Sequence, residues 1–511
     1  MISFVFAAAV SCSMPPPASQ QCSEGAIGNV GVEPFVSLTS DEVRAIAEGA
    51  AASLNDEGMT IAVVDRAGRV LALYRKPSAD PVNDDIAVGL ARTAAFFSNN
   101  QAPLSSRTVR FLSGIHFPPG ITNTPNAPLY GIENTNRGCD LNIDFNDGKC
   151  VPPARSLSGG PGPGIVTGKH QPDDSDSSAL NAGGIPLYRS GKLIGGVGVA
   201  GVVDPRLAEY AAVTGAFAAV APLPSYPLPF PENVFIDGIR LPFLDDGQRL
   251  KFDSDGQPIG LEPPGQVQTG SADGSFLIGP SNGGCAPNGY LAGPRNGSVL
   301  SADDVDTLVQ RAVSASKRTR AVIRLPLNSY VRMVIAVADL DGSILALYRM
   351  PDATVFSIDV SVAKAHNVVD FSTSGLPGVA AGTAITNRTI GFGAQPFFPP
   401  GIDSPVFHPQ QGPFFPLFVS DLASPCSQGN GIVFFPGSSP LYRSGKLVGG
   451  LGISGDGVDQ DDYVTFLAAG DFLPPAGIWA DRVRIDGVRL PMFKFPRHPE
   501  GVSECDGRSC N

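Results

Sequence analysis

The chain reads as an α+β protein of two tandem domains, each a mainly antiparallel β-sheet flanked by helices. Three observations predict this. The segment Ile61-Ala-Val-Val-Asp65-Arg-Ala-Gly68-Arg-Val-Leu-Ala-Leu-Tyr74-Arg75 returns as Ile335-Ala-Val-Ala-Asp339-Leu-Asp-Gly342-Ser-Ile-Leu-Ala-Leu-Tyr348-Arg349. Further on, Pro186-Leu-Tyr188-Arg189-Ser-Gly191-Lys192-Leu-Ile-Gly195-Gly196-Val-Gly198 returns as Pro440-Leu-Tyr442-Arg443-Ser-Gly445-Lys446-Leu-Val-Gly449-Gly450-Leu-Gly452. Helical and hairpin patterns are also mixed, without strict β–α–β alternation. Distant blocks recurring in the same order mark a duplicated domain, and their spacing is far too long for a solenoid or propeller.

Each element follows from its local pattern. The copies open with Leu38-Thr39-Ser40-Asp41-Glu42-Val43 and Leu300-Ser301-Ala302-Asp303-Asp304-Val305. Thr39 with Glu42 three residues on is a capping box, starting a helix through about Leu54. Two aliphatic, β-branched runs then flank Arg66-Ala67-Gly68 or Leu340-Asp341-Gly342, a hairpin whose Gly supplies positive φ. Thr60 to Ser98 aligns without gaps on Val334 to Ser372. Within that block, Asp85 to Phe97 and Asp359 to Phe371 have helical apolar spacing and small residues, the mark of a helix packed closely on a sheet. The Tyr-Arg-Ser-Gly-Lys blocks form a second hairpin turning at Ser190-Gly191 or Ser444-Gly445. A last helix starts at about Asp204 in the first copy and Asp461 in the second.

These signals divide the chain. Residues 1–35 form a signal-like, low-complexity N-terminus, 36–245 the first domain, 246–298 a Gly/Pro-rich linker, 299–495 the second domain and 496–511 a tail. The first domain carries an insertion containing Cys139-Asp140-Leu-Asn142-Ile-Asp144-Phe-Asn146-Asp147-Gly148-Lys-Cys150. The alternating oxygens of Asp140, Asn142 and Asp144 resemble a calcium loop, although the EF-hand spacing and its terminal Glu are absent. A disulfide-closed turn rich in Asx residues gives the same sequence without metal.

Composition bounds the function. With 511 residues and a net charge of −12, the chain has room for full-sized cores and no basic stripe for nucleic acid. The apolar run Ile2 to Val10 is too short to span a bilayer. Followed by Ser11-Cys12, it resembles the end of a secretory signal, with Cys12 a candidate lipid-anchor site, so an extracytoplasmic location is expected. Cys139 with Cys150, and Cys505 with Cys510, read as short disulfide loops suited to an oxidising compartment, and Cys285 and Cys426 are candidates to pair across domains. The lack of CxxCH excludes covalent c-type haem attachment.

The chemical inventory is thin. No Ser-His-Asp or Cys-His set recurs in both copies, and no HExxH, P-loop or dinucleotide fingerprint stands out. The Gly-Gly-Val-Gly198 and Gly-Gly-Leu-Gly452 runs sit on a hairpin strand, where Gly lets a ligand or a neighbouring helix approach the backbone. Polar positions shared by both copies include Asp65/Asp339, Tyr74/Tyr348, Arg75/Arg349 and Arg107/Arg388. An Arg-rich set with Tyr suits a carboxylate or propionate ligand. The same residues equally suit Asp–Arg pairs that pin hairpins and a domain interface.

The repeated hairpin, the helix start Asp359-Val-Ser-Val-Ala-Lys364-Ala and the run Gly-Gly-Leu-Gly452-Ile-Ser-Gly455 resemble the GlcG/HbpS family, whose domain also ends PduO proteins. The resemblance covers most of both copies. It implies a compact α+β domain that assembles into homo-oligomers and binds haem, a related tetrapyrrole or iron. Tyr74, Arg75, Arg107, Tyr348, Arg349, Lys364 and Arg388 become the candidate ligand-binding residues. The family helix usually reads Ala-Lys-Ala-Arg-Thr-Ala; the second copy places His366 where Arg is usual, and the first keeps Arg92 but has Leu90 in place of Lys. His366 is therefore a candidate haem-iron ligand, and His116, beside Phe117-Pro118-Pro119, a second. Non-covalent haem binding for sequestration, uptake or redox sensing is the leading expectation. A haem-degrading or other small-anion enzyme, and a secreted structural module, are the alternatives. No catalytic residue is singled out, because no acid–base constellation recurs.

Overall fold

The computed structural model describes residues 36–141, 154–162, 164–165, 181–224, 234–403 and 411–501. In the first copy the order is α1 (Ser40–Ala52), β1 (Thr60–Asp65), β2 (Val70–Arg75), α2 (Asn83–Phe97), α3 (Ser106–Phe111), β3 (Gly184–Arg189), β4 (Lys192–Ala200) and α4 (Pro205–Phe217). Two small hairpins follow, β5 (Phe235–Ile236) with β6 (Ile239–Arg240) and β7 (Leu250–Phe252) with β8 (Pro258–Leu261), then β9 (Ser275–Ile278) and β10 (Gly289–Ala292). The second copy runs α5 (Ala302–Ser316), β11 (Val334–Ala338), β12 (Ile344–Arg349), α6 (Phe356–Ser374), α7 (Asn387–Gly393), α8 (Phe415–Ala423), β13 (Ser438–Arg443), β14 (Lys446–Ser454) and α9 (Val458–Ala469), closing with β15 (Arg484–Ile485) and β16 (Val488–Arg489).

Local chemistry accounts for these elements. Thr39 accepts from the Glu42 N–H while the Glu42 carboxylate takes the Thr39 N–H, closing the capping box, and Ser301 with Asp304 repeats it at α5. At the second hairpin both central residues have positive φ, 48° at Ser190 and 77° at Gly191, then 51° at Ser444 and 77° at Gly445. This is the twist that matches two-residue β-hairpins. The last helix of the first copy is capped by Asp204 as the sequence indicates, whereas α9 starts at Val458, one turn before Asp461.

Each copy folds as an antiparallel five-stranded sheet, in the order β3-β4-β1-β2-β9 and its counterpart β13-β14-β11-β12-β10. The stretch 246–298 is thus no simple linker. β9 pairs with β2 of the first copy, and β10 pairs with β12 of the second. Polar, Gly-rich flanks conceal these strands in the sequence.

Both faces of each sheet are covered. Ile61 and Val63 of β1 pack towards α1 and α4, whereas Ala62 and Val64 pack with Ala87 and Ala91 of α2. The glycine runs explain how close α2 and α6 come. A Cβ at Gly198 would sit 2.1 Å from the Ala87 carbonyl oxygen, and one at Gly452 2.1 Å from that of Ser361. A helix backbone, not a ligand, occupies the space that these glycines leave.

The copies share one core. Its largest apolar cluster contains Leu90 and Phe97 together with Val334 and Phe356, and the Phe97 and Phe356 rings stack 4.1 Å apart. Polar contacts also cross the seam: Asn99 Nδ2 donates to the Ile323 carbonyl at 3.0 Å, and Arg66 pairs with Asp352. Cys139 and Cys426 form a disulfide with Cα atoms 5.3 Å apart. This corrects both expected pairings, Cys139 with Cys150 and Cys285 with Cys426; Cys285 belongs to a different disulfide. Cys12, Cys150, Cys505 and Cys510 lie outside the described residues. Among those described, no helix is long and apolar enough to cross a membrane.

Candidate functional site

The structure disperses the residues that the sequence groups together, and it commits nearly all of them to internal partners. Tyr74 is buried, its hydroxyl on the Ala272 carbonyl and its ring edge-on to Phe276 of β9 at 4.9 Å. Tyr348 repeats this against Tyr290 of β10 at 5.0 Å. The two tyrosines therefore fasten the added edge strands.

The basic residues are equally engaged. Arg75 holds Asp84 through Nε and a terminal nitrogen, and that hydrogen-bonded pairing raises its pKa. Arg349 is buried and donates to the carbonyls of Ala353 and Pro287; burial pushes its pKa down to about 9. Arg107 pairs with Glu209, which burial holds above the usual carboxylate range, and faces Asp245. Arg388 repeats the arrangement with Asp462 and Asp459, the second at 2.6 Å. Lys364 is fully buried, with Nζ 3.0 Å from Asp461 Oδ2 and 2.7 Å from the Ile453 carbonyl oxygen. Burial drives the Lys364 pKa down and that of Asp461 up.

Both ring nitrogens of His366 face internal oxygens, and the one unpartnered nitrogen of His116 is buried. His366 Nε2 lies 2.9 Å from the Gly342 carbonyl oxygen and Nδ1 3.3 Å from Asn430 Oδ1. Burial pushes its pKa below the ordinary imidazole value. In the first copy Arg92 Nε donates to the Gly68 carbonyl at 3.0 Å, so His366 fills the structural place of an arginine. His116 is buried at the seam with Nε2 2.8 Å from Asp403 Oδ2, and no hydrogen-bond partner reaches Nδ1. Asp140 is exposed, Asn142 and Asp144 lie outside the described residues, and no group of three or more metal-ligating side chains occurs among those described. The calcium expectation thus finds no support.

A haem needs an apolar slot, cations for its carboxylates and, where iron is ligated, an open donor. The seven candidate Tyr, Arg and Lys residues do not supply these, because Tyr74 and all five basic residues spend their polar ends on internal carboxylates and carbonyls and Tyr348 packs its ring on Tyr290. A concavity that no motif singles out comes closer. It is a groove of about 470 Å³ between the end of α9 and the C-terminal segment, walled by Phe466, Trp479, Met492, Phe493 and Phe495. Phe493 meets Trp479 edge-on at 5.8 Å and Phe466 edge-on at 5.6 Å, while the Trp479 indole N–H is fixed on the Pro474 carbonyl at 2.9 Å. The usable sequence signal was the sole Trp of the chain, set among Phe and Arg near the C-terminus.

The family model described as "Haem degrading protein HbpS-like" matches residues 38–216 and 300–469, about two thirds of the chain. The chain belongs to this family, in two tandem copies. Among curated proteins it is similar to the corrinoid adenosyltransferase PduO of Citrobacter freundii, 29% identical over 143 residues that make 28% of this chain and 33% of that one. The chain therefore spans about a third of the length of that relative. An uncharacterised 15.0 kDa Citrobacter freundii protein from the dhaT-dhaS intergenic region is 28% identical over 29% of this chain and 81% of its own. Among solved structures, the PduOC:Heme complex is similar at 26% identity and a TM-score of 0.23, covering 34% of this chain and 94% of that one. HbpS is similar at 21% identity and a TM-score of 0.22, covering 37% and 96%.

Proposed function

We propose that this chain is an exported protein that binds haem, or a related tetrapyrrole, non-covalently, for sequestration, uptake or redox sensing. The observation that carries the reading is the match of a haem-associated family model to both copies. Export is supported by the Cys139–Cys426 disulfide, since such bonds persist in oxidising compartments. A hemin titration of the whole protein, followed from the Soret band, tests the binding. Saturable, stoichiometric spectral change is the expected result, and an unchanged hemin spectrum would reject it.

A second reading, a structural tandem without ligand, is favoured by one specific observation: the polar residues common to both copies are tied into internal pairs. It predicts no change in the hemin spectrum.

A further inference from the structure

We infer that the aromatic groove of the second copy is where the tetrapyrrole docks, its macrocycle against Trp479, Phe493 and Phe495 and its carboxylates towards Arg489 and Lys494. This inference rests on the functional reading above. It goes further in placing the ligand away from His366 and from the polar positions that the two copies share.

Three independent observations point to a planar, anionic occupant. The first is shape and chemistry. A volume of about 470 Å³ falls within the range of small-molecule sites. The Phe493 and Phe495 rings lie 24° from parallel, while Phe466 and Trp479 stand edge-on to Phe493. Flat π faces and ring edges favour a flat aromatic guest. Phe495 is 41% exposed, an apolar surface that burial against a ligand would stabilise.

The second is charge. Between Trp479 and Arg497, Arg482, Arg484, Arg489, Lys494 and Arg497 outnumber Asp481 and Asp486, in a chain whose net charge is −12. Arg489 lines the groove, and its side chain is 60% exposed. Asp481 engages two of its five N–H groups, through Nε and one terminal nitrogen, which leaves donors for a carboxylate. Lys494 is 65% exposed and meets Asp459 at 2.8 Å.

The third is asymmetry between the copies. Glu209 and Asp462 take matching roles towards Arg107 and Arg388, and Arg240-Leu-Pro242 matches Arg489-Leu-Pro491. On that register Val213, Leu244 and Asp246 stand where the second copy has Phe466, Phe493 and Phe495. Three of the four rings of the wall therefore have no aromatic counterpart in the first copy, and packing shared by the two copies does not account for them; on the same register Trp479 falls opposite Phe230, outside the described residues.

The sole Trp provides the probe. Hemin and metal-free protoporphyrin IX are titrated into the full chain while the Soret band and Trp479 fluorescence are followed together. The same titration is run on Phe495→Asp and Arg489→Glu, whose exposed positions spare the core, with circular dichroism to verify folding. The expected result is saturable quenching in step with the Soret change, comparable affinity for both porphyrins, and at least a tenfold loss in each variant. Energy transfer to a bound porphyrin acts at a distance, so the variants decide the location. Soret binding with unchanged affinity in both variants would overturn the groove and leave haem binding standing. Binding of hemin but not of metal-free porphyrin would overturn it too, by pointing to iron ligation. No spectral change with either ligand would overturn both inferences.

Discussion

At one position the two copies solve the same packing problem with opposite chemistry. In the first, Leu90 of α2 and Ala208 of α4, both buried, stand where the second copy has Lys364 and Asp461, and a Cβ added at Gly183 would lie 3.2 Å from the Ala208 Cβ. In the second, Lys364 and Asp461 meet near Gly437, where an added Cβ would lie 2.7 Å from Lys364 Nζ and 2.6 Å from the Asp461 Cβ. The backbone frame is the same, so the buried ion pair is an addition to the fold and not a requirement of it. Removing two charges from water is costly, and a buried pair is weak evidence for stability even though breaking it is severe. Sharing a core does not make the copies chemically equivalent.

The sharpest way to break this comparison is to remove one charge. Asp461→Ala leaves Lys364 buried without its hydrogen-bonded carboxylate, keeping the Ile453 carbonyl, the Phe435 ring 5.0 Å from Nζ and the more distant charge of Asp462, and is expected to cost about 3–5 kcal/mol. The double change Lys364→Leu with Asp461→Ala transplants the first copy's chemistry and is expected to fall within about 1 kcal/mol of the parent or above it. Urea denaturation of both variants checks the pair. A double variant as unstable as the single one would mean that the charges carry stability that the first copy obtains elsewhere.

The next effect concerns what ties the copies together. Cys139 and Cys426 close a loop of 287 residues, and replacing both with Ser is expected to cost about 3 kcal/mol, mainly by freeing the unfolded chain. Thermal unfolding with and without reductant checks this: the parent should fall further than the variant when reduced, because the variant has only the disulfide of Cys285 left to lose.

A smaller effect separates two aspartates at matching positions. Asp85 is half-buried and accepts the Leu157 N–H at 2.8 Å within its own copy. Asp359 accepts the Asn136 N–H across the seam and the Asn430 side-chain amide at 2.9 Å, and burial pushes its pKa up to about 6. A carboxyl raised on folding contributes stability at low pH that is lost as pH rises through the folded value. The parent should therefore lose about 1 kcal/mol between pH 5 and pH 7 relative to Asp359→Asn, measured by chemical denaturation at both values. An equal gap at the two pH values would show that Asp359 titrates normally.

Much of this architecture was legible because its signals are local. Thr39 with Glu42, and Ser190-Gly191, specify a helix start and a turn through contacts within a few residues. The close-packed glycines were legible as a need for space, though only the structure shows that a helix fills it. Long-range partners were not legible. β9 is a four-residue edge strand whose Phe276 and Ile278 are only partly buried, and its flanks read as a linker. Cys139 pairs across the seam because the fold brings Cys426 there, which no spacing rule encodes. For the shared arginines, the sequence could not decide between a ligand carboxylate and an internal one, since both present the same geometry to a guanidinium.

The mildest substitution bears on that same ambiguity. His366 Nε2 reaches the Gly342 carbonyl as Arg92 Nε reaches that of Gly68, so the two side chains perform one task, fastening a hairpin turn to the helix behind it. His366→Arg should accordingly restore the first copy's arrangement, with a stability change below about 1 kcal/mol and unchanged hemin affinity. An imidazole that ligated iron would give a different outcome. Losing it would weaken binding and alter the Soret position, because Arg stays protonated and offers iron no lone pair. Spectra of the hemin complex in parent and variant decide between a hairpin fastener and a haem ligand at the position where the second copy puts His in place of its family's usual Arg.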